Sequence, residues 1–185
     1  MKLVFALGNP GPQYATTRHN VGFAIADAMT DKAGVSWKDS RKFKALIAEL
    51  TTEQGKLIIA KPSTYYNLIG ESYQALTSFY DIEPSEVLIV HDDLALDFGT
   101  IRTRLGGSGG GSKGIRSLNA HGGDKTYRLR VGVSNPLAER IDSADFVLSR
   151  FTAEEAKQLP EVIERALAIV DDFSQGKIEA TTHRS

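Results

Sequence analysis

Three clusters of polar residues have the types and spacing that chemistry at a protein site requires. In chain order they are Gly8-Asn9-Pro10-Gly11 with Thr17-Arg18-His19-Asn20, then His91-Asp92-Asp93, and last a glycine run with Ser112 and Lys113. A histidine beside a carboxylate can act as a general base, because the carboxylate orients the imidazole and stabilises its protonated form. His19 is therefore the candidate base, and Asp92 or Asp93 is its candidate partner.

The same residues also have ordinary structural explanations. A histidine at a helix start is more often a surface or capping residue, and paired aspartates at a strand end often cap a turn. A catalytic metal is disfavoured, because the four histidines include no pair with the i, i+4 spacing of a helical zinc site. We therefore do not expect a catalytic metal.

The glycine run from Gly106 to Gly114 leaves several interpretations open. Residues 109–114 fit the G-x-G-x-x-G pattern, but the acidic residue expected about 20 positions later in a dinucleotide-binding fold is absent. Ser112-Lys113-Gly114 also departs from the P-loop pattern. Two interpretations remain, a mobile loop that approaches a ligand closely and a plain flexible connection. A nucleotide-binding interpretation rests on the glycines alone.

The periodicity of the chain predicts the elements that must position these clusters. Short apolar runs predict strands, and apolar residues spaced i, i+3, i+4 predict helices. The predicted strands span 3–7, 45–50, 56–60, 87–90, 101–105 and 127–133, and the predicted helices begin near Asn20, Tyr66, Ile115 and Thr152. This alternation predicts an α/β fold, a single domain over residues 1–185 with a mixed, mainly parallel central sheet flanked by helices. Polar residues at the ends of such strands lie at the mouth of a crevice.

The composition is that of one soluble globular domain. The 185 residues carry 22 Lys and Arg against 23 Asp and Glu, and they include no Cys. The N-terminal apolar run is too short for a signal-peptide core, so we expect a cytoplasmic protein. Residues 97–130 carry seven basic and two acidic side chains. Such a basic segment is one mark of a nucleic-acid partner, although a solvated surface explains the count more simply.

Five motifs follow one another along nearly the whole chain. The first runs from Leu7 to Gly22 and contains Asn9-Pro10-Gly11 and Thr17-Arg18-His19-Asn20. The others are Lys61-Pro62-Ser63-Thr64-Tyr65-Tyr66-Asn67-Leu68-x-Gly70, Val90-His91-Asp92-Asp93-Leu94, Leu105-Gly106-Gly107 and Arg128-Leu129-Arg130-Val131-Gly132. In this order and register, the motifs resemble those of the bacterial peptidyl-tRNA hydrolase family.

The resemblance implies an enzyme, independent of metals and cofactors, that hydrolyses the ester joining a peptide to the 3′-terminal ribose of tRNA and frees the tRNA for translation. It implies that His19 is the catalytic base and that Asp92 orients it. It also implies substrate contacts from Asn9 and Asn67 and tRNA phosphate contacts from Arg104 and Arg130. We further expect Tyr14, Tyr66, Ser112 and Lys113 to contact the substrate. The implied partner is peptidyl-tRNA, without a membrane, and we expect a monomer.

The sequence departs from the family pattern at two places. Tyr66 stands where the family usually has the more adaptable Met, and Ser112-Lys113 stands where the family has His-Asn. The family uses that His and Asn to gate the crevice and to hydrogen-bond substrate. A catalytically weakened relative that acts as an RNA-binding protein is therefore the alternative function. The enzyme is favoured by the joint presence of His19, Asp92, Asn9 and Asn67.

Overall fold

A computed structural model describes residues 1–184, with one eight-stranded sheet in the order β2-β3-β4-β1-β5-β7-β6-β8. The strands are β1 (Lys2–Ala6), β2 (Lys38–Ser40), β3 (Ala45–Thr52), β4 (Gly55–Pro62), β5 (Val87–Asp97), β6 (Ile101–Leu105), β7 (Tyr127–Ser134) and β8 (Thr182–His183). The helices are α1 (Val21–Ala33), α2 (Ile69–Tyr80), α3 (Lys113–Ala120), α4 (Ser143–Val147) and α5 (Ala153–Ser174). None of these helices combines the length and apolarity needed to cross a membrane.

The sheet is parallel in its centre and antiparallel toward both edges. The neighbouring strands β4, β1, β5 and β7 run parallel, with Val4 of β1 opposite Ile59 on one side and Leu88 on the other. The outer pairs are all antiparallel. Parallel strands need a crossover, and α2 supplies it between β4 and β5. The predicted α/β fold with a mixed sheet and flanking helices is confirmed.

Apolar side chains on the two faces of the sheet form two cores. Helices α1 and α5 pack on the face that carries Val4 and Val90. Helices α2 and α3 pack on the opposite face, which carries Phe5 and Ile89. The central strands are continuous apolar runs because both of their faces are buried.

Some elements differ from the sequence-based prediction. The periodicity predicts a strand that ends at Val90, but β5 continues to Asp97 because β7 also pairs with its second half. The short elements β2, β8 and α4 are not predicted, since two to five residues carry too little periodic signal. The glycine run follows β6, which is antiparallel to β7. It therefore lacks the βαβ context that a dinucleotide-binding loop needs.

Candidate active site

The candidate site lies at the carboxyl ends of the parallel central strands. The segment after β1 carries Asn9 and His19, and the segment after β4 carries Tyr66 and Asn67. Asp92 lies on β5, two residues beyond Val90, which pairs with the last residue of β1. Because β1, β4 and β5 run in the same direction, residues far apart in the sequence lie at the same end of these strands.

His19 and Asp92 form a hydrogen-bonded pair at the centre of this site. His19 Nδ1 lies 2.9 Å from Asp92 Oδ2. The side chain of His19 is 15% exposed and that of Asp92 is 6% exposed, so the pair is sheltered while the imidazole keeps some access to solvent. When Nδ1–H donates to the carboxylate, Nε2 is the nitrogen that can accept a proton. Asp92, rather than Asp93, is the carboxylate in contact with His19.

Arg18 fixes the backbone that carries His19. Its side chain is only 2% exposed. Its guanidinium donates hydrogen bonds to Ser149 Oγ, Val133 O and Glu155 Oε2. It also lies over the rings of Phe146 and Phe151. A buried guanidinium is costly unless its donors are paired, so these contacts hold the segment before His19 in one place.

Glu155 is the acidic partner of Arg18 and belongs to the start of α5. Burial alone would raise the pKa of the Glu155 carboxyl, but hydrogen bonds from Arg18, Thr152 and Asn135, together with the Arg18 charge, outweigh burial and lower that pKa. Glu155 also closes a capping box with Thr152, the residue near which the sequence predicts this helix to begin. The segment carrying His19 is thus anchored to the longest helix.

Asn20 holds the backbone of Asn9. Asn20 is 2% exposed. Its Nδ2 donates to Asn9 O at 2.9 Å, and its Oδ1 accepts from Asn9 N at 2.8 Å. Because Asn20 directly follows His19, these two bonds fix the position of the Asn9 loop relative to His19. The Asn9 side chain is half-buried and takes no part in this pairing.

Tyr66 covers one side of His19. The two ring centroids are 4.1 Å apart with the planes tilted by 45°. The Tyr66 ring also lies against Gly114, where an added Cβ would come within 2.4 Å of Tyr66 Cε1. Burial, and after it the negative charge of Asp92, raises the pKa of Tyr66, while the Ser112 side chain opposes the shift. The Tyr66 hydroxyl therefore stays protonated at neutral pH.

Ser112 and Lys113 mark the start of α3. Ser112 is the N-cap, and its Oγ accepts a hydrogen bond from Ile115 N at 3.2 Å. Lys113 is the first residue of the helix and is exposed. Ser112 therefore has a structural role that the sequence-based prediction did not include. Substrate contacts by both residues stay predictions.

Asn67 and Tyr14 lie on short 3₁₀ helices. Asn67 follows Tyr66 in the 3₁₀ helix Tyr66–Leu68 and is exposed. Tyr14 is half-buried, and its carbonyl accepts hydrogen bonds from Thr17 N and Oγ1, which shapes the turn that leads to His19. The predicted contacts of Asn67 and Tyr14 with substrate stay predictions.

Arg104 and Arg130 lie on the neighbouring strands β6 and β7. Arg130 Nε donates to Asp93 Oδ2 at 2.6 Å, and the Arg130 side chain is 16% exposed. Arg104 Nε donates to Gly106 O, and its guanidinium lies against Gly107. Each arginine thus has a partner within the chain, which the sequence did not indicate. Their predicted contacts with tRNA phosphates are not tested by these bonds.

Arg128 and Asn119 connect β7 to the root of the glycine run. Arg128 is 2% exposed, and its Nη2 donates to Asn119 Oδ1 and Gly123 O. Asn119 Nδ2 in turn donates to Gly107 O at 2.9 Å. Burial, and after it the charge of Arg104, lowers the pKa of Arg128 to about 10. Sequence reasoning missed this connection, because arginine is seldom fully buried.

His91 has a local partner. Its Nδ1 lies 2.7 Å from the main-chain oxygen of Asp92. Burial lowers the pKa of His91, although that hydrogen bond and the charges of Asp92 and Asp93 oppose the shift. Within residues 1–184, no three His, Asp or Glu side chains are arranged to hold a metal ion.

The sequence and the fold are both similar to those of known proteins. A family model described as Peptidyl-tRNA hydrolase matches residues 3–185. The Peptidyl-tRNA hydrolase of Rhodococcus erythropolis is 41% identical over 183 residues, which cover 98% of this chain and 96% of that relative. The Peptidyl-tRNA hydrolase of Lactiplantibacillus plantarum is 40% identical over 181 residues, covering 94% and 96%. A crystal structure of peptidyl-tRNA hydrolase from Acinetobacter baumannii has a TM-score of 0.87 and 35% identity, covering 96% and 90%.

Proposed function

The chain belongs to the peptidyl-tRNA hydrolase family, and on this basis we propose that His19 and Asp92 carry out its reaction. That reaction is hydrolysis of the ester bond between peptide and tRNA in peptidyl-tRNA, which frees the tRNA for reuse in translation. The observation that carries the residue assignment is the 2.9 Å contact between His19 Nδ1 and Asp92 Oδ2. It leaves His19 Nε2 as the proton acceptor.

His19 acts first as a general base and then as a general acid. Nε2 takes a proton from water while the water oxygen attacks the ester carbonyl carbon, which gives a tetrahedral oxyanion. The intermediate then collapses, the bond to the ribose oxygen breaks, and that oxygen takes the proton from Nε2. Asp92 keeps Nδ1–H in place and stabilises the imidazolium between the two steps.

Asn9 and Asn67 are the proposed amide groups that position the peptide and the attacked carbonyl. Amide donors held in advance stabilise the negative charge that develops on the carbonyl oxygen. The bonds from Asn20 to the Asn9 backbone support this role, because they hold the Asn9 loop fixed relative to His19. Tyr66 forms the wall of the proposed site beside His19. Tyr14, Ser112 and Lys113 are proposed as further substrate contacts.

Arg104 and Arg130 are the proposed contacts to tRNA phosphates. Both lie in the basic segment 97–130, and each uses Nε in its contact within the chain. An arginine presents five N–H donors, so such a contact leaves donors for an anion. The proposed position of the tRNA is therefore on the β6 and β7 side of the site.

The proposed setting is the cytoplasm, where peptidyl-tRNA arises during translation. A monomer is proposed because His19, Asp92 and Tyr66 come from a single chain. A single domain over residues 1–185 is supported by one sheet that includes strands from Lys2 to His183.

The test is release of an N-acetylated amino acid from its tRNA by the purified protein, with and without EDTA. We expect multiple turnovers and no loss of rate with EDTA. Binding of the charged tRNA without release would contradict the proposed reaction, and it would favour the RNA-binding alternative. Turnover that disappears with EDTA and returns with added metal would contradict the mechanism written for His19.

A further inference from the structure

A cavity of about 190 Å³ adjoins the candidate site on its β4 side. Asn9 and Asn20 form the wall nearest the site, and Phe23 and Ala24 of α1 form another wall. Leu46 of β3 and Pro62 of β4 complete its apolar surface. Because Asn20 follows His19 directly, the cavity begins one residue from the base. The mechanism above makes no use of it.

The cavity and the arginines lie on opposite sides of the catalytic pair. The cavity is built on β3, β4 and α1, whereas Arg104 and Arg130 belong to β6 and β7. The strands β1 and β5 lie between these two parts of the sheet. With neighbouring strands about 4.8 Å apart, β4 and β7 are separated by roughly 14 Å. A substrate with its ester at His19 and its tRNA toward β7 must extend its peptide in the other direction.

The lining of the cavity favours an uncharged group. The charges on its wall are those of Asp27 and Lys61, and these two form an ion pair. Trp37 Nε1 also donates to Asp27 Oδ1, and Lys61 Nζ lies 4.4 Å from the centroid of the Trp37 ring. The opposite charges cancel, so the cavity offers a ligand no net charge. Phe23, Leu46 and Pro62 supply apolar contacts instead.

The size of the cavity limits what it can hold. A cavity of about 150 Å³ in another protein binds one benzene molecule. A volume of about 190 Å³ therefore suits one side chain of leucine or phenylalanine size.

We propose that this cavity is a specificity subsite for the peptide, and that it takes the uncharged side chain of the residue preceding the esterified one. This inference rests on the proposed function. Asn9 holds the peptide at the boundary between the ester and the subsite. The subsite then adds binding energy from a part of the substrate that does not react.

The test compares two substrates on the same tRNA, N-acetyl-Leu-Ala-tRNA and N-acetyl-Gly-Ala-tRNA. We expect the wild-type protein to have about a tenfold higher kcat/KM for the leucine substrate, because leucine fills an apolar cavity that glycine leaves empty. Ala24→Leu fills the cavity from the side of α1 and should bring the ratio close to one. Ala15→Leu fills it from an exposed loop position and should do the same, which guards against a folding defect in the helix variant.

Ala33→Leu is the matched control, since Ala33 lies on α1 but is exposed and outside the cavity. This variant should keep the tenfold preference. Equal kcat/KM for the two substrates in the wild type would overturn the subsite and leave the proposed function standing. An equal loss of kcat/KM for both substrates in Ala24→Leu would also overturn the subsite. The cavity would then hold a part that is common to both substrates, such as the terminal nucleotide. Failure to hydrolyse either substrate would overturn the proposed function itself.

Discussion

The side chain of Asn20 pairs with the backbone of Asn9 through two hydrogen bonds, at 2.8 and 2.9 Å, much as a neighbouring strand would. This pairing joins the loop after β1 to the residue that follows the base. The distance between His19 and Asn9 therefore depends on the Asn20 side chain, which has no contact with the transferred proton or the substrate ester in the proposed reaction. Asn20 is thus a positioning residue for Asn9.

Asn20→Ala should lower kcat/KM by about tenfold or more, since two hydrogen bonds of roughly 0.5 to 1.5 kcal/mol each are lost at a buried position. The effect should act through Asn9. A double-mutant cycle checks this, because Asn20→Ala should cost little more once Asn9 is already Ala. Fully additive losses in the cycle would show that Asn20 acts elsewhere.

Glu155 should make the stability of the fold depend on acid pH. Its pKa in the folded protein is below the ordinary value of 4.5, so its contribution is present above that pH and is lost as the pH falls below it. The free energy of unfolding, measured by urea titration, should therefore drop between pH 6 and pH 3.5. Glu155→Gln should reduce this drop and cost about 3 to 5 kcal/mol at pH 7, because Arg18 is left buried without its partner.

Glu154→Gln is the control for that measurement, since Glu154 is the exposed neighbour in the same helical turn. It should change stability by less than about 0.5 kcal/mol. If Glu155→Gln shows the same loss of stability with falling pH as the wild type, the Arg18–Glu155 pair is not the origin of the effect.

Arg104→Ala should weaken tRNA binding and make it less sensitive to salt. One lost phosphate contact changes the slope of log K against log salt by about 0.7 to 0.9. Binding isotherms at several NaCl concentrations measure this slope. Arg41→Ala is the control, because Arg41 is exposed beside β2 at the opposite edge of the sheet. An equal change in both variants would mean that the effect is one of overall charge.

The double change Ser112→His with Lys113→Asn should alter KM more than kcat. Removing the N-cap hydroxyl should also cost about 1 kcal/mol of stability, which Lys113→Asn alone should not. Steady-state kinetics and thermal unfolding of both variants separate the two effects. A thousandfold rise in kcat, about 4 kcal/mol, would contradict this expectation and support the RNA-binding alternative.

The sequence was sufficient to predict the elements that carry the site. The apolar runs predicted the central strands. Thr152, with Glu155 three residues later, predicted the start of α5, because a capping box is a local pattern. A contact between His19 and an aspartate was expected; the residues alone left Asp92 and Asp93 open, and the family resemblance implied Asp92. The extent of β5 was not predicted. Strand pairing with β7 decides that extent, and pairing partners are not local.

The supporting contacts could not be predicted, because they depend on tertiary burial. Arg18, Arg128 and Asn20 look like exposed polar residues in the sequence, yet each is buried by elements distant along the chain. The cavity beside Asn9 is likewise formed by three separate segments. An asparagine that follows the base in a motif is a signal that could have pointed to Asn20, but only the fold shows what it bonds.

The most direct measurement of the central claim is kcat/KM for N-acetyl-aminoacyl-tRNA in the wild type, His19→Ala and Asp92→Asn, with tRNA affinity measured in parallel. Each rate is measured at several pH values. His19→Ala should lose about 10²- to 10⁴-fold in kcat/KM, Asp92→Asn should also lose activity, and both should still bind tRNA. A His19→Ala variant within tenfold of the wild type, with the same pH profile, would contradict the assignment of His19 as the base.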